Sequence, residues 1–502
     1  MAEEANPTGN ATDNWREVVA MLTGYLVPER HLLFNTLTGN DGIPLMHVRL
    51  DHVGGPEWAS GFEGSGGWHT RNTDYTIPFY GAHHSADSVS DGTQLHRYRA
   101  YITILGTVGS LPPSGQDVVG GGPYTSKVLK DKGGWNKEGE ALDWDTKPLA
   151  QYVHGSMNAL WELMTPPYST HGFKNRDIKV GDEAYVDLAS FTETAKTFDR
   201  VVTFFENSAT TVGNWDNEDI GEGSKSWDGT SAAIFKALIH KLARNYEGYA
   251  DQIRGDGDKT SVITAITIDN EAVTSQPARA LADLQWVLYN QASKLYDAWQ
   301  AWKHESSPQR WLYDMLQDAR LELFDTQYKN TDFTSIGGPY YYRTAVVAKA
   351  EFVNSIVIKG THYGPPSDME TWKKIGAEAV RRWDSSAQNF LIPAAAEAIV
   401  AISKAFAAAH LEFDATITDK DKRSLSDISA KEESNKEKKD LDKKNADAKA
   451  EADKDKDEAK KERDKDRAEA EKDKDEAKKE RDKDRAEAEK DKDEAKKERD
   501  KD

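Results

Sequence analysis

Residues 188–205 read LASFTETAKTFDRVVTFF, and the spacing of their apolar side chains decides the class of fold. The apolar residues recur every three or four positions and therefore share one face of a helix: Leu188, Phe191, Ala195, Phe198, Val201 and Phe205. The pattern returns at Phe235, Leu238, Leu242, Tyr246, Tyr249 and Ile253. Two such stripes joined by a turn predict an antiparallel helical hairpin.

Trp227-Asp228-Gly229 lies between the two stripes and is followed by Ser231-Ala232-Ala233 and Phe235. This arrangement resembles the Trp-Xaa-Gly family of type VII (ESX) secretion substrates, in which paired helices are the exported unit. The resemblance implies that Trp227, Asp228 and Gly229 form the hairpin turn. Gly tolerates the dihedral angles of a turn, and a Trp can close the open end between two helices. The side chains expected to face a partner helix are Phe191, Phe198, Phe205, Phe235, Leu238, Leu242 and Tyr246.

A second resemblance starts near the N-terminus. Asp13-Asn14-Trp15, Gly24-Tyr25 and Val27-Pro28-Glu29-Arg30 resemble the AAWKG family of large actinobacterial proteins. Ala301-Trp302-Lys303 resembles the motif that gives this family its name, with His304 in the position of the Gly. The resemblance implies an actinobacterial source and little about chemistry.

The C-terminal residues form a charged repeat. Lys454–Glu471 reads KDKDEAKKERDKDRAEAE, and the same eighteen letters return at 472–489. Eighteen residues make about five whole helical turns, and the repeat contains no Gly, Pro or β-branched residue. No apolar seam runs at heptad spacing, so the repeat predicts a solitary helical rod rather than a coiled coil.

Charge and composition exclude several classes of partner. The net charge is -20, and the tail from 431 to 502 holds 27 basic and 30 acidic residues, which leaves -17 in the head. An acidic head argues against nucleic acid as a partner. The chain has no Cys, which excludes disulfides and thiolate metal sites. We expect no membrane span, because the most apolar run, 394–411, carries Glu397, Lys404 and His410.

Residues 43–182 differ from the rest of the head. Residues 46–50 and 97–104 alternate between apolar and polar side chains, which predicts β-strands inserted into a helical protein. Six histidines cluster here without the spacing of metal ligands, so we predict no metal site: His47, His52, His69, His83, His84 and His96. Five aromatic residues could stack on sugars if exposed, but we expect them to fill a small β-layer: Trp58, Trp68, Tyr75, Phe79 and Tyr80.

The sequence therefore predicts a mainly α (α+β) fold of helical hairpins, with a β-rich insert and a long solitary charged C-terminal helix. The expected regions are N-terminal helices at 1–42, the insert at 43–182, the hairpin at 183–276, a helical region at 277–418 and the charged tail at 419–502.

We expect a non-enzymatic structural or interaction protein without catalytic residues, cofactor or metal. Its partners would be proteins: further copies of the chain or a helical secretion partner. It would be secreted or displayed on the cell surface by a leaderless route, and otherwise cytoplasmic. Two alternatives stay open, namely a toxin-like enzyme with a site in the insert, and a carbohydrate- or cell-wall-binding module.

Overall fold

The structure is a computed structural model, and it describes most of the chain. The described residues are 13–53, 74–82, 89–106, 122–124, 142–215, 230–255, 265–339, 341–413, 417–422 and 424–499. Within them the protein is mainly helical with a small antiparallel sheet, and the predicted fold class is confirmed.

The helices follow the apolar periodicity of the sequence. Their bounds are α1 Asn14–Thr23, α2 Ser156–Met164, α3 Ala189–Asn214, α4 Thr230–Arg254, α5 Gln276–Trp302, α6 Pro308–Thr326, α7 Met369–Phe413 and α8 Leu425–Arg499. A helical turn at Lys147–Ala150 and a π-helical turn at Gln151–Gly155 lead into α2. Short 3₁₀ turns occur at Arg30–Leu32, Asn40–Gly42, Lys303–Glu305 and Tyr328–Asn330.

The main sheet has five antiparallel strands. They are β1 Met46–His52, β2 Asp74–Gly81, β3 Gln94–Ile104, β10 Thr331–Gly338 and β11 Tyr341–Ala348. Strand β3 pairs with both β1 and β2, and the start of β3 pairs with β11. Four two-stranded ladders are β4 Gly122–Tyr124 with β5 Leu142–Trp144, β6 Lys174–Asn175 with β7 Ile178–Lys179, β8 Ala265–Ile266 with β9 Ala272–Val273, and β12 Ile356–Ile358 with β13 Thr361–Gly364.

Buried tryptophans form the centre of the core. Trp15, Trp302, Trp372 and Trp383 are fully buried. Each indole N–H has an acceptor, as buried indoles require: for example, Trp302 donates to the Ser386 hydroxyl at 2.7 Å, and Trp383 donates to the Ser306 carbonyl at 2.7 Å. The residues that resemble the AAWKG family therefore serve packing, since Trp15 and Trp302 lie in this core.

A polar cluster ties α1 to α7. The Asp13 carboxylate caps α1 by accepting from the Arg16 amide, and it also pairs with Arg30 at 3.0 Å. Arg30 in turn pairs with Asp384 of α7 at 2.9 Å, and the Tyr152 hydroxyl donates to Asp13. Burial raises the pKa of Asp13, while Arg30 opposes that shift. The ion pair with Arg30 therefore stabilises the charged form of Asp13, which burial alone would disfavour.

Two details of α7 are unusual for its sequence. A proline inside a helix usually kinks or breaks it, but Pro393 lies inside a helix that runs unbroken to Phe413. Pro393 and Asn389 are both exposed, so water can satisfy the Asn389 carbonyl that loses its helical donor. Ser367 and Glu370 have the spacing of a capping box, but it is the Asp368 carboxylate that accepts from the Glu370 amide, at 3.0 Å.

Contacts divide the chain into two units. The first comprises 1–202 and 251–417, and the second comprises 203–250 and 418–502. This grouping cuts across the five regions expected from the sequence. The hairpin helices α3 and α4 each contribute to both units, and the sheet of the insert takes β10 and β11 from the region after 277.

Candidate interaction surface

The predicted hairpin turn cannot be placed, but both of its helices can. Trp227, Asp228 and Gly229 lie outside the described residues. Helices α3 and α4 meet through aromatic side chains: the ring of Phe205 is 5.9 Å from that of Tyr246 and 5.4 Å from that of Tyr249. Two of the residues expected to face a partner, Phe205 and Tyr246, therefore contact each other.

The first half of α3 is docked within the first unit. Phe191 packs against the main core, and Phe198 packs against a small cluster formed by Ala195, Val273, Ala278 and Ala282. The ring of Phe198 is also 5.7 Å from that of Phe413 at the end of α7. Polar contacts fix this half, since the buried Gln285 amide donates to the Leu188 carbonyl and to the Thr192 hydroxyl. Phe191 and Phe198 are thus half-buried by the chain itself.

The expected α4 stripe is more open. Phe235 and Leu242 are each 39% exposed, while Leu238 is half-buried. These three residues are spaced three and four apart, so they lie along one side of the helix. Of the residues expected to face a partner, Phe235 and Leu242 have the largest exposed fractions.

The second unit also contains the start of the charged tail, which is fixed to α4. The Asp419 carboxylate accepts from the Tyr249 hydroxyl, and the Asn245 side-chain oxygen accepts from the Asp421 amide at 3.1 Å. A Cβ at Gly248 would lie 2.8 Å from the Lys420 side chain, so this glycine allows the tail segment to approach closely. Ile428, in the first turn of α8, is buried.

Exposed apolar residues that the sequence analysis did not select extend along α3. Phe204 is 59% exposed, and Val201 and Trp215 are also exposed. Two adjacent phenylalanines cannot both face inward on one helix, and Phe205 takes the inward position. The pair Phe204-Phe205 was therefore the signal in the sequence that one large aromatic side chain would remain on the surface.

The C-terminal half of α7 carries further exposed apolar side chains. Val400 is 68% exposed and Leu411 is 72% exposed, and they lie on one side because eleven residues complete about three turns. Phe406 and Phe413, seven residues apart, share another side and are also exposed. The helix Met369–Phe413 has the length and composition of a membrane span, with a mean hydropathy of 1.7 over its most apolar 18 residues, of which 22% are buried.

Charge distinguishes the exposed side of α7 from a lipid-facing surface. Glu397 and Lys404 stand three residues before and four residues after Val400, and both are exposed. A charged side chain in the hydrocarbon of a bilayer is costly, whereas a mixed apolar and charged surface is common where helices pack in water. This side of α7 therefore mixes apolar and charged side chains.

A groove of about 400 Å³ opens beside Phe406. Its lining is largely apolar, with one charged residue: Met21, Leu22, Tyr185, Val186, Asp187, Ser190, Phe191, Leu288 and Phe406. Asp187 is engaged in capping α3, since its carboxylate accepts from the amides of Ala189 and Ser190. Met21, Tyr185 and Phe406 are exposed at the groove, and methionine adapts readily to varied apolar partners.

The alternatives placed in the insert rest on residues that the structure locates only in part. His69, His83, His84, Trp58 and Trp68 lie outside the described residues. His52 and His96 contact each other at 3.3 Å between Nε2 and Nδ1, while burial lowers the pKa of His47 to about 4. Within the described ranges, no group of three or more His, Asp or Glu side chains could hold a metal ion. Tyr75, Phe79 and Tyr80 are buried, as expected for residues that fill a β-layer.

Comparison of the chain with protein-family models, with curated proteins and with solved structures finds no match.

Proposed function

We propose that this chain is a non-enzymatic interaction protein that binds a helical partner protein through the exposed apolar sides of its long helices. The observation that carries the proposal is the set of large apolar side chains left in solvent on α3, α4 and α7, above all Phe204, Val400 and Leu411. Exposed apolar residues of this size are typical of protein-binding surfaces.

The partner expected here presents an amphipathic helix. Val400 and Leu411 repeat at nearly the same angle along α7, and Phe235 and Leu242 do so along α4. An apolar stripe on a partner helix would cover such rows by packing its ridges into their grooves. This partner chemistry fits the resemblance to type VII secretion substrates, whose exported unit is a helical pair.

Helix α8 would act as a spacer. Its 75 residues correspond to about 110 Å of helix, and nearly all of its described side chains are exposed. A helix without an apolar seam offers little surface for burial but can hold two attached groups apart.

Site-specific photo-crosslinking tests the surface. A photoreactive residue placed at Val400 or Leu411 of the full chain, expressed in its native cells, should crosslink to a discrete protein. The Val400→Asp and Leu411→Asp variants should lose that partner in a pull-down with the identified protein. Asn435→Asp is the control, because Asn435 is exposed on α8, whose surface the proposal does not use for binding, and receives the same charge. Crosslinks to lipid alone, or to no molecule, would contradict the proposal.

Substitution of Trp227 tests the hairpin part of the proposal, which stays a prediction for residues outside the described part of the chain. If Trp227 closes the end of the helix pair, Trp227→Ala should lower the free energy of unfolding by about 3 kcal/mol. A variant as stable as the parent would mean that the Trp-Xaa-Gly match is accidental.

Changes in the length of α8 test the spacer. Deletion of 472–489 removes one repeat, shortens the helix by about 27 Å and keeps its faces in phase, since five whole turns are lost. If α8 acts as a spacer, the biological activity of the protein should fall with each repeat removed, while the fold of the head stays unchanged. Function that is indifferent to the number of repeats would exclude this role.

A further inference from the structure

The main sheet has one apolar and one polar face near β1. Residues directly opposite in neighbouring strands share a face, so Met46 and Val48 face the same side as Ile104 and Ile102. All four are buried in the main core. The intervening residues, Arg49 among them, lie on the opposite face.

Arg49 is buried on this second face without a full set of hydrogen bonds. Its side chain is 1% exposed, and Nη2 donates to the Asp51 carboxylate at 3.0 Å. The guanidinium carbon is 4.7 Å from the centre of the Tyr101 ring. The Nε and Nη1 atoms have no hydrogen-bond partner among the described residues. A buried cation with unsatisfied N–H groups is costly, and a structure usually supplies an acceptor for it.

Thr76 provides a second unsatisfied group in the same row. Tyr101 of β3 is paired with Arg49 on one side and with Thr76 of β2 on the other. The Thr76 hydroxyl oxygen is buried, and no group in the described part of the chain forms a hydrogen bond with it. Strands β1 and β2 flank β3 and are thus about 10 Å apart. Tyr101, over whose ring the guanidinium lies, therefore belongs to the strand between Arg49 and Thr76.

The charge of this face is opposite to that of the head. Arg49, Arg97 and Arg99 alternate with the core-facing residues of β1 and β3, so they lie on the second face together with Asp51. Among the side chains described on this face, cationic residues thus outnumber anionic ones, in a head whose net charge is -17. A local excess of cations within an acidic protein favours an anion over a cation as ligand.

We propose that the row formed by Arg49, Tyr101 and Thr76 binds the oxyanion of a small ligand, a carboxylate or phosphate group. The oxyanion would accept hydrogen bonds from the free guanidinium nitrogens and from the Thr76 hydroxyl. A charged oxyanion forms shorter and stronger hydrogen bonds to a guanidinium than a neutral acceptor does. This site is independent of the helical surface proposed for partner binding.

Anion-dependent thermal unfolding of the full chain tests the proposal. Sodium phosphate, sodium acetate and sodium chloride are compared at matched ionic strength in a zwitterionic buffer. Phosphate or acetate should raise the melting temperature saturably, while chloride should not. A response to phosphate alone indicates a phosphate-bearing ligand, and a response to acetate alone indicates a carboxylate. No saturable response to either oxyanion above the chloride baseline would overturn the proposal.

Substitutions assign the response to this row. Arg49→Met should weaken oxyanion binding roughly tenfold to a hundredfold, and Thr76→Val by up to about tenfold, in isothermal titration with the same salts. Arg310→Gln is the control for loss of one arginine, because Arg310 belongs to an exposed pair with Asp314. Arg49→Met leaves Asp51 without its partner, but the Asp51 side chain is 34% exposed and water can solvate its carboxylate. Thr76→Val keeps the shape of the side chain and removes only the hydroxyl. Undiminished binding in both variants would overturn the proposal.

Discussion

Helices α7 and α8 are the two longest described helices, and different interactions stabilise them. Helix α7 has 45 residues and buries Trp372, Ile375, Ala379 and Trp383 in the core. Helix α8 has 75 residues, and after Ile428 nearly every described side chain is exposed. The first is stabilised by tertiary burial, whereas the second depends on local propensity and on charge pairs along its own surface.

The difference explains which residues each helix tolerates. Helix α7 contains Gly376 and Pro393, both unfavourable in an isolated helix, because packing of its buried face outweighs their cost. Helix α8 contains neither Gly nor Pro. A helix without a core has no other source of free energy to offset such residues.

The largest effect is expected at the buried face of α7. Trp383 is fully buried, and its ring is 5.1 Å from that of Phe34 and 5.7 Å from that of Trp302. Trp383→Ala should lower the free energy of unfolding by about 4 kcal/mol, as measured by chemical denaturation. Trp286 is the control: it is 49% exposed and stacks on Tyr289. Trp286→Ala should lower the free energy of unfolding by less than about 1.5 kcal/mol. Equal losses of unfolding free energy in the two variants would contradict the idea that packing stabilises α7.

The second largest effect is expected to be a loss of stability of the first unit at acidic pH. Burial lowers the pKa of His47 from 6.5 to about 4, so the folded state resists a proton that the unfolded chain accepts. Stability from this group is complete above pH 6.5 and is lost as the pH falls through about 4. The loss amounts to about 3 kcal/mol. Burial also lowers the pKa of His154, which adds a loss of the same sign.

Substitution of His47 isolates this contribution. His47→Gln should flatten the dependence of the unfolding free energy on pH between 6.5 and 4, compared with the parent in the same buffers. His31→Gln is the control for loss of one histidine, because the His31 side chain is 56% exposed. Parallel curves for His47→Gln and the parent would show that His47 titrates normally.

At Gly376 in α7 we expect glycine to be more stable than alanine, which is the reverse of the usual helix preference. A Cβ at Gly376 would lie 2.5 Å from the Pro44 carbonyl oxygen, and backbone there cannot move as a flexible side chain can. Ala gains about 1 kcal/mol over Gly in a helix, but overpacking costs about 1–3 kcal/mol. Gly376→Ala should therefore destabilise by up to about 2 kcal/mol in thermal or chemical unfolding.

Gly213 in α3 is the matched comparison, since a Cβ there would meet no atom within 4 Å. Gly213→Ala should stabilise by up to about 1 kcal/mol. Stabilisation by both substitutions would mean that propensity, and not packing, decides at Gly376.

Local pattern predicted helices such as α3 and α4 and strands such as β1 and β3, but not their grouping. The three-four spacing from Leu188 to Phe205 gave α3, and the alternation at 46–50 gave β1. The pairing of β3 with β11 depends on contacts between residues about 250 positions apart, for which periodicity carries no signal. The same limit explains why Phe198 could be assigned to a helical face but not to the cluster that covers it.

The anion site was also beyond sequence reasoning, for a physical reason. Arg49 alternates with apolar residues as a solvent-facing strand residue would, and arginines are rarely buried. Its burial depends on tertiary packing against the second face of the sheet. Its place beside Thr76 is known only once strands β1, β2 and β3 are aligned. The histidines near it attracted attention in the sequence because their residue type suggests metal chemistry.

The smallest effect is expected from removal of the rod, and the position of the cut decides the result. The sequence alone suggested a boundary near Thr418. The structure moves it, because Asp419 and Asp421 bond to α4 and Ile428 is buried. A chain ending at Ala430 keeps these contacts and should melt with the parent within error. A chain ending at Thr418 loses them and should melt lower.

The separated residues 431–502 complete this test, because they must form a helix without any partner. Each charge pair contributes only a few tenths of a kcal/mol, but the repeat supplies one or more in every turn. Circular dichroism should show substantial helix at low salt, independent of concentration and reduced at high salt as the pairs are screened. Helix content that rises with concentration would indicate association. Coil at low salt would show that α8 needs support from the rest of the chain, and the contrast with α7 would then disappear.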